Sequence, residues 1–79
     1  MQRNLKLRIK KDIEIFYKNL SALNTKGFNS EYKNITELAK MYAKDSQSYL
    51  EKGDLATAFS CISYAHGLLD AMRRFIDRD

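Results

Sequence analysis

At 79 residues, with 44% hydrophobic and 30% charged side chains, the chain has the size and balance of one globular domain, 1–79, and is neither disordered nor collagen-like. No proline and only three glycines argue against a turn-rich β sandwich, and the single cysteine, Cys61, excludes an internal disulfide framework and a cysteine zinc site. The net charge of +4 is unevenly placed: residues 1–30 hold seven basic and two acidic side chains, residues 31–79 seven basic and eight acidic.

The first segment reads as a helix over about residues 3–23. Leu5, Ile9, Ile13, Phe16, Leu20 and Leu23 recur at spacings of 4, 4, 3, 4 and 3. On a helical wheel they share a narrow stripe of roughly 80°, which faces a core. Leu7, Ile15 and Tyr17 lie off that stripe. Arg3, Lys6 and Lys10 share another face and are the candidate nucleic-acid contacts, a row able to follow a phosphate backbone, although Asp12 and Glu14 interrupt the basic run. The helix is expected to stop in Asn24-Thr25-Lys26-Gly27.

The second helix is expected over about residues 30–52, capped by Asn29 or Ser30, with Glu31 in its first turn. Tyr32, Ile35, Leu38, Ala39, Tyr42, Ser46, Tyr49 and Leu50 form its expected buried face; Lys33, Glu37, Lys40, Lys44, Gln47 and Glu51 form the wet one. Gly53 follows as the residue just past the helix end, and Asp54 caps what comes next. So short a connection makes the second and third helices antiparallel neighbours.

The third helix, about 55–76, is apolar around roughly 240° of its circumference, from Ala71 and Tyr64 through Leu68, Cys61 and Ala65 to Leu69, Leu55 and Phe59. A helix apolar over that arc needs cover on two sides, so it is the central element of an all-α, up-and-down three-helix bundle. Its remaining strip holds Ala56, Ser60, Ser63 and Gly67, spaced 4, 3 and 4, a line of small residues along which another helix can approach closely. Gly67 inside a helix costs about 1 kcal/mol relative to alanine, which asks for a packing reason. Three readings are open: a contact with another molecule, close packing within the chain, or plain exposure.

Gly53-Asp54-Leu55-Ala56-Thr57-Ala58-Phe59, followed by Ser63-Tyr64-Ala65-His66-Gly67-Leu68-Leu69-Asp70-Ala71, resembles the signature of a small archaeal family known as domain of unknown function 357, with Glu51-Lys52 fitting the approach to it. The resemblance implies a three-helix bundle with a left-handed twist, of the albumin-binding-domain type, and no assigned activity.

His66 and Asp70, four residues apart on one helical face, are a candidate pair for metal binding or proton transfer, weighed against a hydrogen-bonded packing role. His66 is the only histidine, too few ligands for a metal site, and no glycine-rich phosphate cradle is present. No catalytic residue, metal or cofactor is therefore expected, and Cys61 reads as an inert core thiol. No apolar run in residues 1–20 makes a signal core, and Ser60, Ser63, His66 and Asp70 interrupt the most apolar stretch, so a cytoplasmic chain without membrane association is expected. The expected function is a non-enzymatic interaction module that forms a homodimer or binds a larger protein through Ala56, Ser60, Ser63 and Gly67. The alternative is a small nucleic-acid-binding protein that uses the basic first helix.

Overall fold

A computed structural model describes residues 2–24 and 30–78, and the side chains of 4–23 and 32–74. Three helices follow in order: α1, Gln2–Asn24; α2, Ser30–Glu51; and α3, Leu55–Arg78. The expected stop at Gly27 and the cap candidate Asn29 lie outside the described residues, as do the side chains of Ser30 and Arg3. Helices of 22 to 24 residues rise about 33–36 Å and give a rod of 42 × 18 × 16 Å.

Cross-helix contacts set the topology. Tyr42 meets Tyr64, Ser46 bonds Ala58 and Thr36 reaches Met72, so α2 runs antiparallel to α3. Arg8 lies over Phe59 and Asp12 meets His66, so α1 runs parallel to α3. α3 packs against both other helices and α1 touches α2 least, so α3 is central.

The turn between α2 and α3 is fully specified by local chemistry. Gly53 takes φ +84°, its N–H donates to the Leu50 carbonyl at 3.1 Å, and the Asp54 N–H donates to the Tyr49 carbonyl at 2.9 Å. This pair of bonds is a Schellman ending, which uses a left-handed residue to satisfy the last carbonyls of a helix. Asp54 then starts α3, with its carboxylate accepting the Thr57 N–H at 3.2 Å. Bonds from the Thr57 side chain and backbone hold the Asp54 carboxyl below its ordinary pKa.

The core joins Ile9, Ile13, Phe16, Leu20 and Leu23 of α1 to Ala39, Ala43 and Leu50 of α2 and to Ala58, Ile62, Ala65, Leu69 and Met72 of α3. Leu5 is half-buried at its edge. The stripe expected on α1 is the one buried. On α2 the buried seam is instead Thr36, Ala39, Ala43, Ser46 and Leu50. Ile35, Leu38 and Tyr49, expected inside, stand 37%, 39% and 36% exposed. Small side chains fill this seam because α2 lies close against α3. There Ser46 Oγ donates to the Ala58 carbonyl at 2.7 Å, and Thr36 Oγ1 donates to its own helix at the Tyr32 carbonyl. On α3, Tyr64 and Ala71 were expected within the covered arc and are exposed, so that helix is apolar over more of its circumference than the bundle covers.

Candidate interaction surfaces

Helical rotation gathers the uncovered apolar side chains of α2 on one flank. Ile35, Leu38 and Tyr49 share this flank with the half-buried Tyr42, at steps of three, four and seven along 35, 38, 42 and 49, with Met41, 61% exposed, beside Leu38. Tyr42 carries this flank across to α3, where its ring centroid lies 4.5 Å from that of Tyr64. Ser60, Gly67 and Ala71, all exposed, lie one or two helical turns from Tyr64 on the same side of α3. The result is one continuous face, with an aromatic and aliphatic wall on α2 and a shelf of small residues on α3.

The small-residue line resolves partly. Ala56, Ser60, Ser63 and Gly67 are all exposed, and a Cβ built on Gly67 meets nothing within 4 Å. Gly67 therefore packs against no element of the described chain, which removes close packing within the bundle. Nor does backbone geometry demand it, since Gly53 is the one glycine with positive φ among the described residues. The Ser60 hydroxyl donates to the Ala56 carbonyl at 3.1 Å, so its polarity turns inward to its own helix.

α1 presents the opposite character. Lys6, Arg8, Lys10, Lys11 and Lys18 are exposed and make no ion pair among the described residues. Leu7 stands 59% exposed among them, and Ile15 and Tyr17 are near 40%. The backbone of Arg3 continues the same helix.

His66 and Asp70 are directed to different partners. His66 Nε2 lies 2.8 Å from the Asp12 carbonyl oxygen, and its ring meets the edge of Phe16 at 5.8 Å. A carbonyl only accepts, so Nε2 carries the proton. Asp70 instead faces Arg73 at 3.9 Å on the exposed surface. His66 thus clasps α1 to α3, a contact with no sequence signal because its partner is a backbone atom 54 positions away. Burial, followed by the negative charges of Asp45 and Asp54, raises the pKa of half-buried Cys61, which holds it as the unreactive thiol. Among the described residues no group of three or more His, Cys, Asp or Glu side chains is placed to hold a metal ion, and no helix is long and apolar enough to cross a membrane.

Residues 11–76 match the family described as protein of unknown function (DUF357). The match spans most of the chain, which therefore belongs to that family. No curated protein matches it.

Proposed function

We propose that this member of the family is a non-enzymatic, cytoplasmic interaction module that docks a second protein chain through the apolar side chains left exposed on α2 and α3, with Ala56, Ser60, Ser63 and Gly67 along its α3 side. Gly67 carries the reading. It weakens the helix, has open space where a side chain would stand, and lies beside the exposed Tyr64. A contact made outside the chain accounts for the small residue there. The lone cysteine suits a reducing compartment.

The unpaired cations of α1 support a second reading, in which Lys6 and Lys10, with Arg3, follow the phosphates of RNA or DNA. Retention experiments with immobilised chain and host-cell extract separate the two. The interaction reading predicts a protein held in fixed stoichiometry, lost from a Leu38→Lys, Tyr64→Lys variant and kept by Lys6→Glu, Lys10→Glu. Salt-sensitive nucleic acid, lost only from the α1 variant, supports the second reading. No dependence on either face defeats both.

A further inference from the structure

We infer that the groove between α1 and α2 seats a single-stranded nucleic acid, with phosphates held by Lys6 and Lys10 from one wall and Lys44 from the other, and a base stacked on Tyr17. The inference rests on the second reading, of α1 as a phosphate-binding helix. It adds the second wall, the aromatic platform and the strandedness of the ligand.

The contacts that α1 and α2 make with α3 set the height of each lysine along the rod. Arg8 meets Phe59 and Ser46 meets Ala58; Asp12 meets His66 and Tyr42 meets Tyr64. Residues 8–12 of α1 therefore run level with residues 42–46 of α2, which brings Lys10 and Lys44 to one height. Rotation sets their direction. On α1, Arg8 and Asp12 take the side toward α3, and Lys6, Lys10 and Tyr17 fall within roughly 40° of arc on the other side, beyond the buried Ile13. On α2, Tyr42 and Ser46 take the side toward α3, and Lys40 and Lys44 lie beyond the buried Thr36 and Ala43, on the side toward α1. The two rows border the seam where helices of this bundle touch least.

Charge gives the class of occupant. α1 holds six basic and two acidic residues, a net +4 equal to that of the whole chain, so the field of the molecule draws a polyanion to this side. Lys6, Lys10 and Lys44 are exposed and make no ion pair among the described residues. The nearby acids do not neutralise them. Glu37 is engaged by Lys40 at 3.6 Å, Glu51 accepts from Gln47 at 3.4 Å, and Glu14 stands a further step round α1, away from α2. Lysines on opposite walls repel one another in the free chain, and a row of phosphates laid between them removes that repulsion as it binds.

Tyr17 selects an unpaired strand. Its ring is 40% exposed, and an edge contact with the buried Phe16, with centroids 5.2 Å apart and planes at 82°, fixes its angle. It lies seven residues beyond Lys10 on the same arc, about 10 Å along the helix. A fixed ring at the end of a row of cations gives a base a surface to stack on once its backbone is held, and every base has a face to offer. A duplex keeps its bases covered. A flat bilayer meets the outer ridge of α1, with Glu14 on it, rather than the groove.

Fluorescence anisotropy with a labelled single strand of about 12 nucleotides tests the groove over a series of salt concentrations. The chain is expected to bind this strand more tightly than a duplex of the same length or vesicles of phosphatidylserine and phosphatidylcholine. Lys10→Gln and Lys44→Gln each remove one phosphate contact, so each is expected to flatten the slope of log K against log salt by about 0.7. Tyr17→Ala is expected to weaken binding about fivefold or more, and Tyr17→Phe, which keeps the ring, to restore it. Urea unfolding checks that the variants, all at exposed positions, fold as the wild type does. A slope that responds to Lys10→Gln and not to Lys44→Gln overturns the groove and leaves the α1 reading standing. Unchanged affinity in Tyr17→Ala, or equal or tighter binding of the duplex or the vesicles, overturns the single strand as occupant. No binding of the strand at low salt defeats the inference and the second reading together.

Discussion

α1 and the α2–α3 hairpin use their apolar residues differently. α1 turns five of its large ones inward, Ile9, Ile13, Phe16, Leu20 and Leu23, and leaves Leu7, Ile15 and Tyr17 outside among its basic residues. The hairpin buries many small ones, Ala39, Ala43, Ser46, Ala58 and Ala65, alongside Leu50, Ile62, Leu69 and Met72, and leaves Ile35, Leu38, Met41, Tyr49 and Tyr64 outside. A helix closing a core and nothing else has little use for exposed aromatic and aliphatic side chains arranged in register. The hairpin therefore leaves five large apolar side chains exposed against three on α1, with the exposed charges Asp45, Lys52, Asp70 and Arg74 on the same two helices.

The contrast is broken most strongly from inside. Leu69→Ala removes a fully buried side chain from the core on α3, and it is expected to lower stability by about 2–5 kcal/mol in urea unfolding. Lys40→Ala, on the wet side of α2, is expected to change it by less than about 0.5 kcal/mol. Equal losses would contradict a core centred on α3.

A smaller effect separates α1 from the hairpin. His66→Ala deletes the bond to the Asp12 carbonyl and the ring contact with Phe16, for an expected loss of about 1–2 kcal/mol. Hydrogen exchange should rise in α1 before it rises in α2. Asp70→Asn touches only an exposed ion pair and is expected to shift the unfolding midpoint by an amount equivalent to less than about 0.5 kcal/mol. A large loss on Asp70→Asn with none on His66→Ala would restore the pair suggested by their spacing.

The smallest effect belongs to the turn. The folded state lowers the Asp54 pKa, so the carboxylate contributes stability above its unfolded value of about 3.9, and that contribution is lost as pH falls through the lower, folded value. Asp54→Asn keeps a good cap and removes the titration. Its acid-unfolding curve is expected to be flatter below about pH 4, and an unchanged curve would show that another carboxylate governs that range.

Much of this arrangement is legible in the residue pattern, and the misses have physical causes. The α1 stripe is readable because six large apolar residues fall on one narrow arc with charges opposite. The Gly53-Asp54 turn is readable because each residue has a specific backbone duty. On α2 the wheel follows the bulky Ile35, Leu38 and Tyr49, whereas close contact with α3 selects Thr36 and Ala43, whose hydrophobicity is low; the seam's spacing of 3, 4, 3 and 4 was the available signal. The small-residue line of α3 is visible as a line, but only its surroundings show that it is open. Asp12 gives no sign of its role because its carbonyl, not its side chain, meets His66.

Gly67→Leu tests the central claim most directly, read by denaturant unfolding and by the retention experiment with host-cell extract. Open space at this position leaves room for the new side chain, and helix propensity improves, so the folded chain is expected to gain up to about 1 kcal/mol while it loses the partner chain proposed to dock on this face. A Lys6→Glu, Lys10→Glu control is expected to keep the partner. A Gly67→Leu chain that is more stable and holds the partner just as the wild type does would show that the face of α2 and α3 meets only water.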